Sequence, residues 1–230
     1  MLSKKILVFS PHPDDVDFGF AGSAASLIQK GWEAVYCVVT DGSKGAHKAG
    51  LGAKAMKTLR VKEQVNAAKI VGVKKVLFLN EIDGEAENTK ALRKKMVRVI
   101  RIVRPDVVVS PDPANKSFGS FYGSHRDHRQ VAEAVFDAIY PAAGSKYFFP
   151  ELYPKFKPHH VSEAWFWNPE KQNKFIDISK TIKLKLEALR AHKSQFEDTR
   201  AIEKRIIARA TLNGRKGGFK YAESFRRLTF

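Results

Sequence analysis

The chain has 230 residues, a hydrophobic fraction of 43%, one cysteine and a formal net charge of +17. That length suits one domain with a sizeable core, so residues 1–230 are read as a single unit. The lone Cys37 excludes a disulfide framework within the chain, and no stretch approaches an apolar membrane span. The apolar run near the start, Ile6 to Phe9, is too short for the core of a signal peptide, and a cytoplasmic protein is expected. The basic residues concentrate in 44–104 and 190–230. Their field attracts anions, but no nucleic-acid motif accompanies them and they spread over several predicted helices. Solvated helix faces are therefore preferred over a nucleic-acid surface, with an anionic substrate or glycan carrier between the two.

Lys5 to Phe9 is predicted as a buried strand and Asp17 to Ile28 as a helix. Between them lies the tight turn Ser10-Pro11-His12-Pro13-Asp14-Asp15, restrained by its two prolines. Glu33 to Val39 is the second strand, ending at Thr40-Asp41-Gly42-Ser43. Residues 44–56 are rich in Gly, Ala and Lys and are expected to form a mobile loop over the site, with His47 on the surface. Thr58 to Val71 is a helix carrying Arg60 and Glu63, an i,i+3 pair. Val76 to Leu79 is a strand that runs into the Asp83-Gly84 turn. A helix follows from Asn88-Thr89 to Val103, stopped by Pro105, and then a strand from Asp106 to Ser110. Residues 111–124 are a long loop whose Phe118, Phe121 and Tyr122 could stack on a sugar ring, line a pocket or pack the loop down. Arg129 to Tyr140 is a helix, 141–158 is irregular, and strands are expected at Ser162–Trp167 and Lys174–Ile178. Helical periodicity returns at Ile182, Leu184, Leu186 and Leu189.

The chemistry collects at strand ends, where open α/β sheets place their ligands. His12 and Asp15 are close enough on one turn to hold a cation. A catalytic zinc site takes imidazole and carboxylate, typically from three protein ligands, and leaves a position for water. Asp14, between them, is placed to take a proton from that water. The alternative is that Asp14, Asp15 and Asp17 merely cap the helix. The missing ligand is expected in Gly123-Ser124-His125-Arg126-Asp127-His128, which also follows a strand and opens a helix. Two such constellations can converge across a parallel sheet.

These residues resemble the PIG-L / LmbE-like zinc-dependent N-acetylglucosaminyl de-N-acetylases. The family's first motif, [A/P]-H-P-D-D, is met in full at residues 11–15. Its second, H-P-D-H, is met at His125, Asp127 and His128, with Arg126 where proline is usual. The resemblance spans about residues 4–227. It implies a Rossmann-like three-layer α/β/α fold with a mainly parallel sheet. It implies zinc on His12, Asp15 and His128, Asp14 as general base, and His125 facing the oxyanion, with Asp127 behind these ligands. The family's Arg-x-x-Glu pair falls on Arg60 and Glu63, and the resemblance implies that Arg60 bonds a substrate hydroxyl. Asp83 is likewise implied to face the sugar. The segment Ala188 to Phe196 resembles the family's "AL..H.SQ" stretch, which makes His192 either a partner of the site or a helix-packing residue.

The expected activity is hydrolysis of an N-acetyl group on an N-acetylglucosamine-type sugar or glycoconjugate. Zn2+ is the expected cofactor, although two His and one Asp also accept iron, cobalt or nickel. The runner-up is an amidohydrolase on a non-sugar N-acyl substrate, and a basic nucleic-acid-binding module stands third.

Overall fold

The computed structural model describes residues 3–45, 50–118, 124–196 and 198–230. Its strands are β1 (Lys5–Ser10), β2 (Glu33–Thr40), β3 (Lys75–Glu81), β4 (Val107–Pro111), β5 (Glu163–Trp167), β6 (Lys174–Asp177) and β7 (Ala222–Thr229). They form one sheet in the order β3-β2-β1-β4-β5-β7-β6. The first five are mutually parallel, while β7 runs antiparallel to β5 and β6. The sheet is thus the mainly parallel one expected.

Helices cover both faces. They are α1 (Asp15–Gly19), α2 (Ala21–Gln29), α3 (Ala53–Val71), α4 (Lys90–Val103), α5 (Arg126–Asp137), α6 (Ile182–Arg190) and α7 (Arg200–Gly217). Alternate strand residues feed opposite layers, as the two-residue period of a strand requires. Leu7, Phe9, Cys37 and Val108 pack with α4 and α5. Ile6, Val8, Tyr36, Val107 and Val109 pack with α2 and α3. The result is a three-layer α/β/α fold. Among the described residues, no helix is long and apolar enough to cross a membrane.

Several boundaries differ from expectation. The helix predicted over 17–28 is two helices, broken at Phe20 (φ −144°, ψ −9°). Helix α1 there sits hard against β5: a Cβ on Gly19 would lie 2.8 Å from the Trp167 ring. Helix α3 begins at Ala53 and not Thr58, because Ala, Lys and Met after Gly52 are strong helix formers. The part of the expected loop over 53–56 is therefore helical, and His47, Phe121 and Tyr122 lie outside the described residues. Helix α5 starts at Arg126 because His125 caps it. It gives way at Ala138–Ala143 to a wider turn containing Pro141. Helix α7 and strand β7 were not expected at all. In β7 the pair Arg226-Arg227 breaks the apolar alternation that marks a strand.

Candidate active site

Strand order reverses between β1 and β4, and the crevice beyond their carboxyl ends is where α/β sheets bind ligands. The turn after β1 delivers His12, Asp14 and Asp15 to that crevice. The start of α5 delivers His125, Asp127 and His128 from the β4 side.

Asp15 stands between two imidazoles. Its Oδ2 is 3.0 Å from His12 Nδ1 and 3.1 Å from His128 Nε2, and it accepts the His12 backbone N–H at 2.8 Å. The other nitrogen of His12, Nε2, is 2.9 Å from Asp127 Oδ2 and 3.2 Å from Asp83 Oδ1. Asp127 is fully buried, and its carboxylate also accepts the backbone N–H of Gly84 at 2.7 Å and of Ala86 at 3.1 Å. Both ring nitrogens face carboxylates, which only accept, so the metal-free ring donates from each; Asp127 would keep the Nε2 proton when a metal took the place of the one on Nδ1. A carboxylate holding the far nitrogen of a ligating histidine is the usual support of a metal site.

Among the described residues, two trios could hold a cation: His12, Asp15 and His128, or His12, His125 and Asp127, the ligand atoms of each lying within 4.8 Å of one another. The donor chemistry favours the first. Asp127 already takes three N–H donors, whereas His12 Nδ1, Asp15 and His128 Nε2 converge as two imidazole nitrogens and a carboxylate, a set that suits zinc once the nitrogens give up their protons to it. Burial alone would depress the His12 imidazole, but Asp127, Asp15 and Asp83 outweigh it and raise its pKa well above the ordinary value. So negative a shell favours a positive charge at its centre.

Asp14 occupies an unusual backbone position, with φ +98°. For a residue other than glycine this costs about 1–3 kcal/mol and persists only where neighbours impose it. Burial pushes its carboxyl up to about 6, with the Arg60 charge opposing that rise and Asp15 adding to it.

Arg60 and Asp83, the two residues expected to face a sugar, are both engaged with the protein around the β1 turn. Arg60 is only 4% exposed. Its guanidinium donates to the Pro13 carbonyl at 2.7 Å, the Gly42 carbonyl at 3.2 Å and Asp14 Oδ2 at 3.2 Å. Asp83 is buried as well, and accepts the Lys44 backbone N–H at 3.0 Å besides approaching His12. Nor does Glu63 serve Arg60: its carboxylate accepts the Ser194 N–H at 2.7 Å and the Ser194 hydroxyl at 2.6 Å.

His125 is exposed and its ring centroid lies 4.8 Å from that of His12. Its Nδ1 accepts the Asp127 backbone N–H at 3.2 Å. An accepting Nδ1 carries no proton, so the ring is neutral with Nε2–H as its donor. Burial and the neighbouring His12 charge lower its pKa in the same sense. The donor that His125 offers is therefore a neutral one.

His192 is fully buried, and its Nε2 lies 2.8 Å from Asp17 Oδ2. Asp17, expected only near a helix start, also accepts Gln64 Nε2 at 3.0 Å. Gln64 and Asp17 were missed as parts of the site. The available signal for Gln64 was its spacing of four from Arg60, which puts both on one face of a helix.

The family model described as GlcNAc-PI de-N-acetylase, PIG-L, matches residues 7–139. The chain belongs to the PIG-L family of de-N-acetylases. A diacetylchitobiose deacetylase of Thermococcus kodakarensis is 35% identical over 225 residues, 97% of this chain and 82% of that protein. A probable N-acetyl-alpha-D-glucosaminyl L-malate deacetylase 2 of Bacillus subtilis is 27% identical and covers 85% of each chain. Among solved structures, the N,N'-diacetylchitobiose deacetylase of Pyrococcus horikoshii, in complex with an inhibitor, superposes with a TM-score of 0.91 at 31% identity. That match covers 99% of this chain and 84% of the other. These PIG-L relatives are deacetylases, which hydrolyse amide bonds.

Proposed function

We propose that this chain is a divalent-metal-dependent N-deacetylase acting on an N-acetylglucosamine-type sugar, with zinc as the metal. The observation that carries the proposal is the convergence of His12 Nδ1, Asp15 Oδ2 and His128 Nε2 beside the buried Asp14. The sugar class comes from the deacetylases this chain resembles over most of its length. The working unit is taken as residues 1–230, because His192 and Lys185 of the carboxyl-terminal half reach into the α1 segment that follows the site motif.

His12, Asp15 and His128 would hold the metal. When bound, it would supply a Lewis acid for the amide carbonyl and an acidified water at neutral pH. Asp14 accepts the proton of the attacking water as the oxygen bonds the carbonyl carbon. His125 Nε2–H donates to the carbonyl oxygen as it gains negative charge. Because His125 stays bonded at both nitrogens, Asp14 is the group that returns its proton to the leaving nitrogen. The carbon–nitrogen bond breaks, giving acetate and a free amino sugar. Arg60 keeps the Asp14 carboxylate in place, and Asp127 keeps His12 in the tautomer that ligates.

The test is acetate release by the zinc-loaded protein from N-acetylglucosamine, N,N'-diacetylchitobiose and N-acetylglucosaminyl conjugates. Release from one of these supports the sugar assignment. Release from none, with zinc bound, moves the substrate to a non-sugar N-acyl compound.

A further inference from the structure

Both polar groups of one peptide unit are held by a single face of α3. The Pro13 carbonyl accepts Arg60 Nη2 at 2.7 Å, and the Asp14 N–H donates to Gln64 Oε1 at 2.9 Å. Arg60 and Gln64 are four residues apart, one above the other on the helix. This is the peptide that leads into Asp14 and its φ of +98°.

A peptide so placed has one cheap escape. It can rotate about its own long axis, with Pro13 ψ and Asp14 φ changing in opposite senses, and so relax Asp14 toward negative φ. The rotation would exchange the carbonyl and the N–H. The guanidinium of Arg60 would then meet a donor. Gln64 could accommodate the exchange only by turning its own amide over. Its other end prevents that: Gln64 Nε2 donates to Asp17 Oδ2 at 3.0 Å, and a carboxylate accepts but does not donate. Gln64 is fully buried, Asp17 is fully buried, and Asp17 is held in turn by His192 Nε2 at 2.8 Å. The orientation of one amide is thereby passed to the backbone of the catalytic turn.

We infer that Gln64 is a positioning residue: its amide, oriented by Asp17, locks the Pro13–Asp14 peptide and so sets the Asp14 carboxylate against the reacting water. The inference rests on Asp14 being the general base. It assigns a task to the Asp17–His192 pair that neither residue would have as a mere packing element.

The test uses the zinc-loaded full chain and two variants. Gln64→Met removes the acceptor at nearly constant length. Gln64→Asn keeps an amide but withdraws it by one methylene, and serves if the Met variant does not fold. Supporting residues of a site typically contribute about 10–100-fold. Each variant is expected to lose kcat by that order, with KM and zinc content as in wild type. Wild-type kcat in a folded Gln64 variant would overturn the inference, as would a loss that follows zinc content. The crystal structure of the Gln64→Asn variant answers independently of turnover. A rotated Pro13–Asp14 peptide is expected, and an Asp14 φ still near +98° contradicts the lock. If wild type releases no acetate from any of the sugars, the assignment of the base fails while that structural result still decides the lock.

Discussion

His12 Nε2 and Asp127 Oδ2 are 2.9 Å apart, and Asp127 is itself pinned by the backbone N–H groups of Gly84 and Ala86. The imidazole is therefore held in plane before any ligand arrives, and Asp127 would retain the Nε2 proton once a metal displaced the other. Asp127→Asn presents Nε2–H with a weaker acceptor and leaves one of the two backbone donors without its carboxylate. Metal affinity should fall about 10–100-fold. Competition against a zinc chelator, read as zinc per chain, checks this, and an unchanged affinity would show that Asp127 does not serve the ligand.

Arg60 distinguishes support of the base from contact with substrate. Its guanidinium bonds Pro13, Gly42 and Asp14, with no more than 4% of the residue exposed. Lysine keeps the charge but loses the planar fork that reaches several acceptors at once. Arg60→Lys should therefore lose kcat by about tenfold or more at nearly constant KM, the pattern of an effect on the transition state alone. A raised KM at unchanged kcat would return Arg60 to the sugar-facing role.

His125 is exposed and accepts the Asp127 N–H through Nδ1, so its contribution is a single Nε2–H donor. Removing one such donor from an oxyanion typically costs about 10²–10³ in kcat. His125→Phe should lose that much and retain zinc, because the residue is outside the favoured ligand trio. Loss of zinc in this variant would instead favour the second trio, His12, His125 and Asp127.

The His192–Asp17 pair ties stability to pH. Burial lowers the His192 pKa, but the hydrogen bond and charge of Asp17 overcome it, and the net shift is upward. The folded state thus holds this proton more tightly than the unfolded chain, whose imidazole titrates near about 6.5. The pair's contribution is full below that value and is lost as pH rises through the higher folded one. The urea midpoint of wild type should fall between pH 6 and pH 9 by more than that of His192→Gln. Parallel pH dependences would remove the pair as a source.

Much of this was legible in the sequence because it is local. A strand, a proline-restrained turn and a helix start put His12, Asp14 and Asp15 together within four residues, and the same syntax recurs at His125 to His128. The apolar runs of β1, β2 and β4 announce a buried parallel sheet. What was not legible depends on distances between elements. Whether the Arg60 guanidinium turns outward or inward is set by how near α3 lies to the β1 turn, which no spacing within α3 encodes. Strand β7 was hidden for a similar reason. Its Arg226 interrupts the apolar pattern, yet it is satisfied by a two-pronged ion pair with the buried Asp112 after β4, at 2.8 Å and 2.5 Å. Only the folded sheet brings that partner within reach.

The most direct test compares wild type with Asp14→Asn, each loaded with zinc, measuring acetate released from N,N'-diacetylchitobiose and zinc per chain on the same samples. Loss of the general base typically costs about 10²–10⁴-fold. The expected result is acetate and free amine from wild type, turnover lower by at least that order in Asp14→Asn, and equal zinc in both. Equal turnover in the two proteins would contradict the assignment of Asp14, and with it the account of how this site works.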